Sequence, residues 1–106
     1  MADFVKAIAA AELAPGQCKE VVVAGRAVAL FNVDGVFYAT TNTCLHRGGP
    51  LGQGFLEGNV VTCPWHGWTF DVSSGESTVN PSLKVESYQV KLGGMDVLVK
   101  VGWLTT

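Results

Sequence analysis

From Thr43 to Asp71 the chain reads TCLHRGGPLGQGFLEGNVVTCPWHGWTFD. Two short boxes stand out in this stretch, Cys44-Leu45-His46 and Cys63-Pro64-Trp65-His66, a C-x-H followed by a C-x-x-H. Sixteen residues lie between His46 and Cys63. The chain has only 2 His and 3 Cys, so both imidazoles and all but one thiol fall inside the boxes. Chance placement would scatter them. Neither box patterns as a strand. Thr41 to Gly54 carries Gly48, Gly49, Gly52, Gly54 and Pro50, and Cys63 to Gly67 opens on Cys-Pro; such residues interrupt regular structure. Both stretches therefore read as loops, and in a turn a Cys and a His two or three residues apart can converge on one small inorganic core. Thiolate and imidazole are both good ligands for iron. Two Cys and two His also suit tetrahedral zinc, but zinc-finger spacings usually pair Cys with Cys and His with His. Here each pair is mixed.

Around the boxes the punctuation is that of an all-β domain. Turn signals recur at Pro15-Gly16, Asp34-Gly35, Glu57-Gly58, Ser74-Gly75 and Gly93-Gly94. Between them lie short runs of β-formers. Val21 to Val23, Val28 to Val33 and Val36 to Tyr38 read as strands, with Asp34-Gly35 as a hairpin turn, and Asn59 to Thr62 is a further candidate. Tyr88, Val90 and Leu92 alternate with Gln89 and Lys91, and Val97, Val99 and Val101 alternate with Leu98 and Lys100. This is period-two patterning that Gly93-Gly94 can close into a hairpin. Ala7 to Ala14 suits a short helix on propensity, while Phe4 to Ile8 suits an edge strand equally well.

The bulk numbers narrow the class. With 106 residues, 48% of them hydrophobic and 15% charged, the chain fits one domain with its own core, residues 1–106. A domain of this size buries a modest share of its surface, so a bound metal centre would help hold it together. The net charge is -2 and no basic stripe appears, which argues against nucleic acid. No apolar run approaches the roughly 20 residues needed to span a bilayer, and Ala7 to Ala11 is too short and too weakly apolar for a secretory segment. The expected location is the cytoplasm, with no membrane partner. Three Cys without a signal segment do not suggest a disulfide framework. Cys18 stands outside any motif and reads as an incidental thiol.

Cys44-Leu45-His46-Arg47-Gly48 and Cys63-Pro64-Trp65-His66-Gly67-Trp68 resemble the two ligand boxes of Rieske proteins. The likeness is close from about residue 40 to 83, running through Gly52 to Val61, Phe70-Asp71 and Gly75, and looser in the flanking strands. It implies a Rieske fold of stacked antiparallel sheets, with a small cluster-binding subdomain, residues 41–83, formed by two loops and inserted in a β base. It implies one [2Fe–2S] cluster, with Cys44 and Cys63 on one iron and His46 and His66 on the other. Gly48, Gly49 and Gly67 would permit the tight turns around it, and Leu45, Pro50, Leu51, Pro64, Trp65 and Trp68 could form an apolar collar. Asn80-Pro81-Ser82 matches the proline-containing third loop that Rieske proteins often have.

The resemblance also bears on redox tuning. High-potential Rieske proteins carry an extra Cys in each loop, joined as a disulfide, and the matching positions here are Gly49 and Trp65. They place a Ser and a Tyr hydroxyl near the sulfurs, where this chain has Trp68 and Phe70. Fewer hydrogen bonds to sulfur stabilise the reduced cluster less, so the expected midpoint lies near the bottom of the range of about −150 to +300 mV. Rieske oxygenases need a second iron site, typically two His and a carboxylate, and this chain has no His to spare. The chain is therefore expected to be a soluble bacterial ferredoxin of the ring-hydroxylating dioxygenase type, and not itself an enzyme. A flavoprotein NAD(P)H-dependent ferredoxin reductase would supply its electron and a terminal oxygenase would receive it. A small Rieske subunit of a nitrite-reductase-like complex is the alternative transport role, and a zinc-stabilised binding module the non-redox one.

Overall fold

The structure, a computed structural model, describes residues 4–44, 49–65 and 67–100. Among these residues nine strands follow in order: β1 (Val5–Ala9), β2 (Cys18–Val23), β3 (Arg26–Val33), β4 (Val36–Thr41), β5 (Phe55–Glu57), β6 (Val60–Thr62), β7 (Thr69–Asp71), β8 (Ser87–Gly93) and β9 (Asp96–Lys100). Two single 3-10 turns, Ala10–Glu12 and Leu51–Gln53, complete the regular structure. Six strands form one antiparallel sheet in the order β1-β9-β8-β4-β3-β2, and β5-β6-β7 form a second, smaller one. The chain is thus all-β, as its turn spacing predicts.

The strand β3 explains how the layers stack. Side chains alternate across a strand, yet the run from Val28 to Asn32 is buried at every position. Val28 and Leu30 face one core with Ile8, Leu13, Val23, Ala39, Val97 and Val99. Ala29 and Phe31 face a second core with Cys44, Leu51, Val61, Cys63, Phe70, Val72 and Val85. A strand covered on both faces reads as an unbroken apolar run, which is the pattern of AVALF in this sequence. The first core fills the base made by the large sheet. The second lies between β3 and the small sheet, and both boxed cysteines belong to it.

The hairpins follow turn chemistry, with two surprises. Asp34 and Gly35 both take positive φ (51° and 92°), the geometry of a type I′ turn between β3 and β4. The Asn32 side-chain oxygen accepts a hydrogen bond from the Gly35 N–H at 2.8 Å and braces it. Ala24 and Gly25 (φ 50° and 80°) do the same between β2 and β3, although Ala gives no turn signal. At the last hairpin Gly93 pairs with Asp96, so the two-residue loop is Gly94-Met95 and not Gly93-Gly94.

The Ala-rich segment resolves in favour of the strand. Val5 pairs with Val99 and Ile8 with Val97 along β9, with one register slip between Lys6 and Ile8. Only Ala10–Glu12 coils, as a single turn. Pairing with the exposed edge of β9 and burial of Ile8 outweigh the modest helix propensity of alanine. The strands β5 and β7 were not expected from the sequence. They flank β6, whose candidate range of Asn59 to Thr62 holds as Val60–Thr62.

The large sheet is joined to itself weakly at one seam. β4 and β8 share only the pairs Ala39↔Tyr88 and Thr40↔Ser87, and the Thr41 N–H donates to the Glu86 carbonyl at 2.8 Å. The chain leaves the base and returns to it at this seam, and the small sheet is built in between.

Candidate metal centre

Cys44 follows β4 by three residues. Its N–H donates to the Gly49 carbonyl at 2.9 Å, and Thr43 bridges Pro50 one step further out. These contacts hold Thr43 and Cys44 beside Gly49 and Pro50. Cys63 ends β6. Its N–H donates to the Trp68 carbonyl at 2.7 Å, and its own carbonyl accepts from the Gly67 N–H at 3.2 Å. Gly67 has φ 75°, a conformation that glycine adopts without the steric cost other residues bear. Gly67 and Trp68 thus fold back onto Cys63.

The two boxes meet. A Cβ placed on Gly49 would lie 2.7 Å from Cys63 Sγ and 3.1 Å from Trp65 Cγ. The returning arm of the first loop therefore rests against the cysteine of the second. Cys44 and Cys63 are 1% and 3% exposed, lie in the same core, and are not joined to each other as a disulfide. Two buried thiols delivered by two touching loops form a donor set suited to iron, and a cation beside them offsets the cost of burying a thiolate. The described residues thus fit a cluster that ties the loops together. His46 and His66, and with them Leu45, Arg47 and Gly48, lie outside the described residues.

Of the apolar collar, Leu51 is fully buried and packs with both cysteines. Trp68 is half-buried, with its ring centroid 6.5 Å from that of the buried Phe70. Trp65 stands 52% exposed, and Pro64 beside it is also exposed. Asn80-Pro81-Ser82 belongs to a loop that braces itself. Ser77 Oγ accepts the N–H groups of Val79 and Asn80, and Asn80 Oδ1 accepts from the Ser82 hydroxyl at 2.7 Å. Across a cleft from Ser77, Val79, Asn80 and Leu83 stand Gly67, Trp68 and Thr69, so this loop does lie beside the second box.

Beneath it, Asp71 organises the turn that leads there. Partial burial raises the pKa of its carboxyl, but hydrogen bonds from the Ser73 hydroxyl and N–H, the Asn59 amide and the Ser74 N–H outweigh that and hold it below the usual carboxylate value.

Spacing signals miss one group of residues at the first loop. Glu20 on β2 accepts hydrogen bonds from the side-chain amides of Asn42 and Gln53, both at 2.6 Å. The Gln53 bond and then the Asn42 bond hold the Glu20 carboxyl below its ordinary pKa. No periodicity or motif marks these three residues, which are brought together only by the fold. Cys18 is half-buried on β2, with its Sγ 3.4 Å from the Gly54 carbonyl. Burial raises its pKa, and it packs from the side against the core that holds the other two cysteines.

Comparison with known proteins agrees with this geometry. The model of the Rieske [2Fe-2S] domain family matches residues 3–99. The ferredoxin component of the naphthalene 1,2-dioxygenase system of Pseudomonas aeruginosa is 36% identical over 97 residues, covering 91% of this chain and 93% of that protein. The biphenyl dioxygenase ferredoxin subunit of a Pseudomonas species is 38% identical over 98 residues, covering 91% and 90%. Among solved structures, the ferredoxin of carbazole 1,9a-dioxygenase from Nocardioides aromaticivorans superposes with a TM-score of 0.84 at 29% identity, covering 91% of this chain and 95% of that one. A complex of reduced oxygenase and oxidised ferredoxin in carbazole 1,9a-dioxygenase contains a chain with a TM-score of 0.83 at 31% identity, covering 92% of each. Fold, paired cysteines and sequence agree: this chain belongs to the Rieske [2Fe-2S] domain family.

Proposed function

We propose that this chain is a single-electron carrier in a multicomponent oxygenase system, working between a flavoprotein NAD(P)H-dependent ferredoxin reductase and a ring-hydroxylating terminal oxygenase. The observation that carries this reading is the likeness, along nine-tenths of both chains, to proteins named as ferredoxin components of dioxygenase systems. A solved complex between such a ferredoxin and its oxygenase supports the oxygenase as the acceptor. The protein carries electrons and does not itself transform a substrate.

The ligand set in this proposal is Cys44 and Cys63 on one iron and His46 and His66 on the other. Burial of both cysteines in one core and the contact between their loops support it, as does the position of the two His beside them in sequence. The segment from 41 to 83 then serves as the cluster-binding part of a single domain. A Rieske cluster held there would supply one-electron chemistry. The chain's own residues would keep it dry and placed: Leu51, Val61 and Phe70 share the buried core of the two cysteines and exclude water from it, and the backbone bonds at Gly49 and Gly67 hold the two arms. Phe70 is buried and has no hydroxyl to offer a sulfur, and Gly49 cannot form a bridge with Trp65. Both features favour a midpoint in the lower half of about −150 to +300 mV. Among the described residues no helix is long and apolar enough to cross a membrane. The proposed setting is the cytoplasm, where a reducing environment keeps free thiols available as ligands.

Iron and acid-labile sulfide should be present in equal amounts, two of each per chain. The reduced protein should give an EPR spectrum with an average g below that of all-cysteine clusters. Substituting Cys44→Ser or Cys63→Ser should abolish both signals. A protein that stays colourless after anaerobic reconstitution, or a Rieske spectrum that survives replacement of both His46 and His66, would refute the ligand set.

A further inference from the structure

Glu20 sits outside both ligand boxes, on β2, yet it reaches the neck of the first loop from the side. Its Oε2 accepts from Asn42 Nδ2 and its Oε1 from Gln53 Nε2, each at 2.6 Å. With its NH2 end held this way, the Asn42 amide turns its oxygen inward, where Oδ1 accepts from the Gly52 N–H at 2.7 Å. The Asn42 carbonyl accepts from the Leu51 N–H at 2.8 Å. Asn42 stands two residues before Cys44, and Leu51 to Gln53 form the turn that closes the same loop. Packing at this point is tight: a Cβ on Gly52 would lie 2.7 Å from Glu20 Cγ and from the Glu20 backbone nitrogen. An ionised carboxylate is acceptor-only, whereas an amide has a donor end and an acceptor end. A carboxylate at position 20 therefore selects one of the two orientations of Asn42, the one that grips the Gly52 N–H.

We propose that Glu20 is a positioning residue for the metal centre: through the Asn42 amide it pins Asn42 to Leu51 and Gly52, at the base of the segment carrying Cys44 and His46, whether or not a cluster is bound. This rests on the ligand assignment given above. It goes further in naming a residue that touches no ligand and still controls how tightly the cluster is retained.

The test compares the loaded wild-type protein with Glu20→Ala, Glu20→Gln, Gln53→Ala and a control on the same strand, Val22→Ala, whose side chain is exposed. The rate of visible bleaching in a strong iron chelator reports retention. Hydrogen–deuterium exchange at the Leu51 and Gly52 amides, in loaded and metal-free protein, reports the neck directly. Both bonds are at least partly open to solvent and so are screened, and Glu20→Ala should bleach about 10-fold faster and exchange faster at both amides. Its reduced EPR lines should broaden. Glu20→Gln keeps one acceptor for Asn42 and should stay within about threefold of wild type, since Gln53 can turn its own amide to match. Val22→Ala should match wild type.

Should Glu20→Ala fail to fold, Gln53→Ala removes one of the two bonds without touching β2 and must still speed bleaching severalfold. The proposal is overturned by wild-type bleaching and exchange in Glu20→Ala, by Val22→Ala bleaching as fast as Glu20→Ala, or by Glu20→Gln giving no rescue. A wild-type protein that binds no iron and sulfide would instead sink the ligand assignment, and exchange at Leu51 and Gly52 in the metal-free chain would still decide the role of Glu20.

Discussion

Leu30 and Phe31 are neighbours on β3, both fully buried, and they face opposite cores. Truncating each to alanine separates the stability of the base from the integrity of the centre. Leu30→Ala empties part of the core shared with Val97 and Val99 and should cost about 2–5 kcal/mol; Phe31→Ala empties part of the core under the cysteine loops and should cost about 3–5 kcal/mol. A domain of this size has roughly 5–15 kcal/mol in total, so a loss of about 3 kcal/mol leaves the native state dominant at 25 °C and lowers the melting point by about 10–20 °C.

The functional consequences should diverge. Well below melting, chelator-driven bleaching does not wait for global unfolding; it reports local opening of the cysteine loops. Phe31→Ala loosens the packing shared by Cys44, Leu51, Cys63 and Phe70 and should speed bleaching at least about tenfold, the effect of about 1.4 kcal/mol in local opening. Leu30→Ala should change it by less than about threefold. Circular dichroism melts and the visible-band decay at 25 °C supply the two readouts. Equal acceleration by both substitutions at matched stability loss would refute the assignment of two independent cores on the two faces of β3.

Two further outcomes follow from the turns and the charges. Gly75 has φ 83°, and a Cβ there would run into the Val85 carbonyl, whereas Gly94 (φ 65°) has open space around it; thermal melts should show Gly75→Ala costing more than 2 kcal/mol and Gly94→Ala about 1. The Asp71 pKa is lowered in the fold, so its contribution is fully present above the ordinary carboxylate range near pH 4 and is lost as pH falls through the lowered folded value; urea titrations from pH 7 to pH 3 should show stability falling in acid, with a shallower fall in Asp71→Asn.

Much of this architecture is legible because it depends on local chemistry. Asp34-Gly35 announces its turn through residues that tolerate positive φ, and the long alternation from Tyr88 to Lys100 carries a clear period. Ala24-Gly25 hides the same turn because the register of Val23 against Arg26 imposes φ 50° on an alanine. The three-residue strands β5 and β7 are too short to show any period. Val5 to Ala9 could not be assigned from propensity because its strand identity comes from a partner at the other end of the chain, β9. At the centre, the cysteines and their loops were marked by spacing, and both are buried in one core. The Glu20–Asn42–Gln53 clamp was not marked, because its members come from three separate segments. The two His predicted as ligands fall outside the described residues, so their part rests on sequence.

The seam between β4 and β8 has a consequence for how such a protein can change over evolutionary time. Everything between Thr41 and Glu86 departs from and rejoins two hydrogen-bonded neighbours, so outside the core under β3 the base holds this segment by a pair of adjacent stumps. The entropic cost of closing such an excursion grows only with the logarithm of its length, about 0.6 kcal/mol per doubling. Lineages can therefore extend, trim or reshape those parts of the excursion that do not pack on β3 without renegotiating the scaffold that carries it.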